Sequence, residues 1–322
     1  MKRLAALAVL AAALVLSAAT SAAPQKRGDV KNYQHVFIIM MENTGYSHLI
    51  GNSNAPWIND AAARYGLATN YTGVSHPSQP NYIAATSGST QGVVDDTDQT
   101  RDVTNIVDQL ESHGKTWKAY MQSYALCGSK TDSACGNQLY ERKHNPFITY
   151  DDVRTNSARL AKVVDFSQFA TDLASGTVPN YSWISPDQCH DMHGRGGPPS
   201  DPCSFGNENK LIQAGDSFLS DTVGAIQSSS AWDGNSVIFI TWDESDFPFG
   251  DVSGCCDAVP GGGHVVTLVI SHSDHLARSS AVAYNHYSML RTIEDGWRLG
   301  CLDFTCDTAN VPAMTDLVGP KG

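Results

Sequence analysis

Beyond its first two dozen positions, this 322-residue chain has no apolar run long enough to span a bilayer. It also lacks any basic run. Against 33 Asp and Glu stand only 21 Lys and Arg, a formal net charge of −12, which argues against a nucleic-acid partner. An anionic substrate therefore gains no long-range attraction and needs a local cation, for which a bound metal is the obvious source. Internal repeats and Pro/Ser-rich linkers are missing too, so nothing divides the chain. Neither Ser78 nor Ser87 sits in a Gly-x-Ser-x-Gly elbow, which weakens a Ser-His-Asp hydrolase.

What is present begins with a leader. Lys2 and Arg3 precede an Ala/Leu/Val run that ends in the small residues Thr20-Ser21-Ala22-Ala23. Residues 1–22 thus read as a signal peptide, and the expected location is extracellular or periplasmic. The remaining 23–322 suit one large domain, since only a short Cys-bearing tail follows Gly300. All eight cysteines lie after the leader. An even number in an exported chain reads as disulfides, with Cys127–Cys135, Cys189–Cys203 and Cys301–Cys306 the expected local pairs. Cys255-Cys256 is either a vicinal bridge or two partners for other loops.

Val36–Met41 and Val237–Trp242 are continuous apolar runs, the mark of strands buried on both faces. Lys115–Met121, Tyr181–Ser185 and Val265–Ile270 are further expected strands. Helices are expected over Asn59–Ala68, Asn105–His113, Ser167–Ala174, Asn209–Gln227 and His286–Arg298, and residues 122–165 read as loops. The alternation implies an α/β fold with a doubly wound, mostly parallel central sheet and helices on both faces.

Three of these strands run into carboxylates: Glu42, Asp187, and the pair Asp243-Glu244. Ligands of open α/β sheets bind beyond the carboxyl ends of the strands, so these acids converge on one edge. Carboxylates gathered there need a cation between them, and oxygen-rich clusters hold divalent metals. Ser78, flanked by Pro77 and Pro80 and followed by Asn81, suits a nucleophile presented at the start of a helix near Pro80. Around Asp187 lie His190, Asp191 and His193. With His264 and His286 they offer acid/base groups, phosphate contacts or ligands for a second metal. His35, His48, His113, His272 and His275 are read as ordinary surface or capping histidines.

Ser78-Gln79-Pro80-Asn81 resembles the Thr-x-Pro-Asn nucleophile element of nucleotide pyrophosphatases/phosphodiesterases in the alkaline phosphatase superfamily. The chain is more similar to the phosphoesterase family that groups bacterial secreted acid phosphatases with non-specific phospholipases C. The shared elements run in order: Met41-Glu42-Asn43, His76-Pro77-Ser78-x-Pro80-Asn81-Tyr82, Lys143-His144-Asn145-Pro146-Phe147, Asp191-Met192-His193, Thr241-Trp242-Asp243-Glu244, and the segment from His286 to Glu294. The resemblance implies an alkaline phosphatase-like fold and one phosphoesterase catalytic domain. It makes Ser78 the phosphoryl acceptor, with Glu42, Asn43, Asp243 and Glu244 holding a divalent metal that also touches Ser78.

By the same resemblance, Asn81, Lys143, His144 and His286 bind the substrate, while His190, His193 and His264 are leaving-group donors or other catalytic groups. Asp187 and Asp191 offer a second metal or phosphate contacts. Two-zinc members carry Asp-His where Asp243-Glu244 stands here, so one metal ion is expected. The expected activity is a secreted, metal-dependent hydrolysis of phosphate monoesters through a phosphoserine, with a protonated histidine as acid. Its substrates would be small molecules or lipid headgroups. A phospholipase C or other phosphodiesterase is the alternative, and a non-catalytic metal- or phosphate-binding protein is the second.

Overall fold

In the computed structural model, residues 30–246, 251–256, 260–271 and 278–318 are described. The signal peptide, His272 and His275 lie outside them. Eight strands form the main sheet: β1 (His35–Met41), β2 (Gly66–Ala68), β3 (Trp117–Met121), β4 (Val163–Asp165), β5 (Tyr181–Ser185), β6 (Ser236–Trp242), β7 (Thr267–Ser271) and β8 (Arg278–Ser280). Their order is β8-β2-β7-β6-β1-β5-β3-β4. The two all-apolar runs pair side by side at the centre, Val36 on Val237 through Met41 on Trp242. Only β7 runs against its neighbours.

The helices are α1 (Pro56–Arg64), α2 (Ser78–Ser87), α3 (Ile106–Ser112), α4 (Ser167–Ser175), α5 (Glu208–Gln227) and α6 (His286–Trp297), besides shorter turns. Successive residues of β1 point to opposite faces. Phe37 meets Phe169 of α4 edge-on with ring centres 6.2 Å apart. Val36 instead shares a small apolar space with Ile293 and Trp297 of α6. The doubly wound, mostly parallel α/β sheet expected from the pattern of runs is therefore the observed fold.

Three expectations are corrected. The helix expected over 59–68 ends at Arg64, because residues 66–68 become β2. The stretch 122–165 is not loop throughout: Val163–Asp165 pairs in parallel with β3 as an edge strand. Both strands are three residues long, too short to show a period. The helix around Ser78 begins at Ser78 itself rather than near Pro80. Cys127–Cys135, Cys189–Cys203 and Cys301–Cys306 are bonded as expected, and Cys255 is bonded to Cys256.

The antiparallel course of β7 positions the site. It places the start of β7, not its end, at the edge where β1, β5 and β6 finish. There the glycines before His264 lie backbone to backbone against Gly73. A Cβ on Gly262 would meet the carbonyl carbon of Gly73 at 2.5 Å, and one on Gly73 would meet the Asp243 oxygen at 2.5 Å. No described helix is long and apolar enough to cross a membrane.

Helix α1 lacks a side-chain cap of its own. Its first-turn amides of Trp57 and Ile58 donate instead to Asp216 of α5, at 3.1 and 2.8 Å. Asp216 is buried, so its removal strands two N–H groups. Asp216→Ala is expected to cost about 1–3 kcal/mol in urea unfolding, and Asp216→Asn clearly less. Equal losses for the two would show that the carboxylate oxygens do not cap the helix.

Candidate active site

Pro77 caps α2 in an extended conformation, and the hydroxyl of Ser78 is delivered from the first residue of that helix. The loop behind it is braced by Asn81. Its side-chain oxygen accepts from the amides of Val74 (2.8 Å) and Ser75 (3.0 Å). Its amide group donates to the carbonyls of Ser75 (2.7 Å) and Pro77 (3.3 Å). Both ends are thus spent on the turn that presents Ser78. Asn81 holds the loop and offers no free donor to a phosphate, contrary to the expectation.

Three oxygens surround the Ser78 Oγ: Glu42 Oε2 at 3.0 Å, Glu244 Oε1 at 3.1 Å and Asn43 Oδ1 at 3.2 Å. One hydroxyl proton can satisfy only one of these acceptors. The ends of β1 and β6 bring the acids there, joined by the Asp243 amide donating to the Met41 carbonyl (2.9 Å). Asp191 joins from the β5 side, its carbonyl accepting the amide of Glu42 at 2.9 Å. Met192, at φ +84°, packs against Gly215 of α5 between Asp191 and His193.

Glu42, Asp191, Asp243 and Glu244 are all buried. Burial, reinforced by Asp243 and Asp191, pushes Glu42 well above the usual carboxylate range. Burial and then Glu244 do the same to Asp243. Asp191 is raised by burial and by Asp187 and Asp243. Burial also raises Glu244, against the pull of His76, whose Nδ1 bonds to it. Glu42 is further held by the hydroxyl of Tyr82.

Asp191 Oδ2 and Asp243 Oδ2 have no hydrogen-bond partner among the described residues. Crowded, buried, partly unpartnered oxygens fit a hard divalent cation. Among the described residues, only Cys127, Asp132 and Cys135 bring three His, Cys, Asp or Glu ligand atoms within 4.8 Å of one another. Both sulfurs there are consumed by a disulfide, which rules that trio out. The acids around Ser78 stand wider apart than that.

Lys143 and His144 line the same cluster. His144 Nε2 lies 3.3 Å from Glu42 Oε2 and Nδ1 lies 3.5 Å from Asp191 Oδ2, with the ring stacked on Tyr82. Burial, then Lys143, holds His144 well below its ordinary range. His193 sits 5.9 Å from His144 between ring centres, and its Nδ1 bonds to the Gly194 carbonyl at 2.7 Å. Burial and Lys143 lower it to about 4. A protonated His193 is therefore favoured only toward acidic pH in the free protein.

The other expected residues lie elsewhere. His286 spends Nε2 on the Asp243 carbonyl (2.6 Å) and Nδ1 on the Tyr71 hydroxyl (3.1 Å), so both ring nitrogens prop the β6 end in the free protein. Asp187 and His190 bond to each other at 2.7 Å, and His190 faces a groove with Phe166, Phe169 and Phe218. The ring of His264 stacks on Tyr46 at 4.2 Å. Among the described residues, no side-chain hydrogen bond or ion pair links Asp187, His190 or His264 to Ser78 or its four acids, although the Asp187 carbonyl accepts the Asp191 amide at 2.8 Å. Conversely, His76, Tyr82 and Asp96 join the site through Glu244, Glu42 and Lys143, which the sequence alone does not indicate. His76 and Tyr82 stood inside the recognised motif, whereas nothing marked Asp96 among its acidic neighbours.

Residues 52–300 match the family described as "Phosphoesterase family". A phosphatidylinositol-3-phosphatase of Mycobacterium tuberculosis is 28% identical over 99% of this chain and 94% of its own length. A probable acid phosphatase of Kluyveromyces lactis is 27% identical over 87% of this chain but 62% of its own length. The chain thus spans about three fifths of the curated acid phosphatases first matched. Among solved structures, an alkaline phosphatase superfamily protein from Vibrio parahaemolyticus superposes with a TM-score of 0.56 at 15% identity, covering 94% of this chain and 73% of that one. A phosphonate monoester hydrolase from Silicibacter pomeroyi gives 0.57 at 11%, covering 88% and 78%. At such identities these two show a shared fold.

The raised carboxylates make a pH prediction. A group whose pKa is higher folded than unfolded contributes fully below its unfolded value, near 4, and that contribution fades as pH rises through the folded value. Asp243→Asn keeps the acceptor for the Asn43 and Glu244 amides while removing one repelling charge. In chelator, this variant should exceed wild type by about 1–3 kcal/mol at pH 7.5, with the advantage shrinking toward pH 4. Thermal melts across pH test this, and a variant less stable than wild type at pH 7.5 overturns it.

Proposed function

The chain belongs to the phosphoesterase family, and on that premise we propose that it is a secreted, metal-dependent phosphatase hydrolysing phosphate monoesters through a phosphoserine at Ser78. The observation that carries this reading is the Ser78 hydroxyl enclosed by Glu42, Asn43 and Glu244 at 3.0–3.2 Å. Export is supported by the leader pattern and the four disulfides.

Glu42, Asn43, Asp243 and Glu244 would hold one divalent ion against Ser78. When bound, that ion supplies charge that favours the serine alkoxide and offsets phosphate charge. The Ser78 proton passes to solvent, and Oγ forms a bond to phosphorus as the ester P–O bond breaks. Positioning and charge dominate such a transfer, so Lys143 and His144 serve by holding equatorial oxygens. The leaving alkoxide takes a proton from His193. Because His193 sits at about 4 when free, donation favours acidic pH, and a bound phosphate dianion beside it raises its affinity for that proton. Water then attacks phosphorus, passing one proton to His193, the serine ester bond breaks, and the Ser78 oxygen takes a proton from solvent as inorganic phosphate is released.

A monoester carried on an inositol headgroup is favoured among lipid substrates by the relative named as a phosphatidylinositol-3-phosphatase, which aligns over 94% of its own length. Comparing p-nitrophenyl phosphate with p-nitrophenyl phosphorylcholine separates this reading from a phosphodiesterase.

Ser78→Ala is expected to lower kcat/KM on p-nitrophenyl phosphate by at least about 10³-fold, near 4 kcal/mol, with an unchanged circular dichroism spectrum. A loss of only about tenfold overturns the nucleophile. Independently, EDTA should abolish turnover and a single type of added divalent ion should restore it. Full activity after exhaustive chelation removes the metal from the mechanism.

A further inference from the structure

Asp96 bridges the two features of the site best suited to an anion. Its Oδ1 accepts the amide of Gln79, the residue after Ser78, at 2.9 Å, and its Oδ2 accepts from Lys143 Nζ at 2.8 Å. The loop that carries it is clamped to α2 a second time: with its amide turned, Gln79 donates to the carbonyls of Asp95 (3.1 Å) and Thr97 (2.7 Å). Asp96 is thus anchored to the helix that presents Ser78.

Lys143 needs such an anchor. Its stem is flexible and its ammonium is a point charge with three donors. Burial opposes its charge, but the fields of Glu42, Asp96 and Asp243 outweigh it and hold the ammonium firmly protonated. Untethered, it would be drawn inward onto Glu42 and Asp243, spending its charge on the acids that surround Ser78. Tethered, it keeps two N–H donors for a ligand.

We propose that Asp96 is a positioning residue that holds Lys143 beside the N-terminal turn of α2 and so sets the affinity of the site for the phosphoryl group. The inference rests on the phosphatase reading above. Asp96→Asn is the informative change, because its oxygen still accepts the Gln79 amide while its NH₂ cannot accept from Lys143.

For Asp96→Asn, KM for p-nitrophenyl phosphate should rise about tenfold, with kcat changed less than about twofold, and the inhibition constant of inorganic phosphate should rise in step. Asp96→Glu should recover part of the loss. In a Lys143→Gln background, Asp96→Asn should have little further effect, since the two act as one unit. A lower KM, an effect confined to kcat, or an undiminished effect in the Lys143→Gln background overturns the proposal. If the wild-type protein turns over no phosphate monoester, the function proposed above fails. Calorimetric titration of wild type and Asp96→Asn with inorganic phosphate then decides this inference: about tenfold weaker binding by the variant supports it, and equal or absent binding in both overturns it.

Discussion

Everything at this site depends on the burial, and then the crowding, of four carboxyl groups around one hydroxyl. Glu42, Asp191, Asp243 and Glu244 are out of water, each raised, and two of their oxygens lack a hydrogen-bond donor among the described residues. Such a cluster costs folding energy, and the surrounding protein supplies only part of the compensation. His76 turns to Glu244, Tyr82 to Glu42, and the amides of Asn43 and Glu244 to Asp243. The two innermost strands carry the burden. Their continuous pairing fixes where Glu42 and Asp243 must stand.

The same constraint accounts for the state of the histidines. Burial keeps His144 and His193 below their ordinary range, and the Lys143 charge adds to it. Lys143 itself stays charged because the acids around it outweigh its burial. The site therefore joins the Lys143 ammonium, two imidazoles that resist protonation and a crowd of buried carboxyl oxygens. That balance suits a dianionic ester only once the acids are partly neutralised, which is the physical ground for proposing a metal.

Much of this was legible in the chain. The runs 36–41 and 237–242 announced central strands because both faces of each are buried. The acids that end them announced the edge where chemistry would gather. The direction of β7 was not legible, since an apolar run reads the same in either sense, and that left the place of His264 open. His286 looked like a ligand because composition cannot tell an imidazole bonded to the protein at both nitrogens from one facing a substrate. Asn81 was misread for the same reason: its place in the motif is plain, but its four backbone partners appear only when the loop is closed. Asp96 lay in a polar turn with no period, and its role emerges from contact with Lys143, 47 positions away.

The Cys189–Cys203 bond spans the segment bearing Asp191 and His193. Thiol oxidation thereby closes the loop that carries those two residues, while the central strands need no crosslink to pair. Material produced in a reducing cytosol could thus carry an intact β-sheet and an incompletely assembled pocket. The specific activity of a preparation would then report the redox history of its maturation as much as its purity.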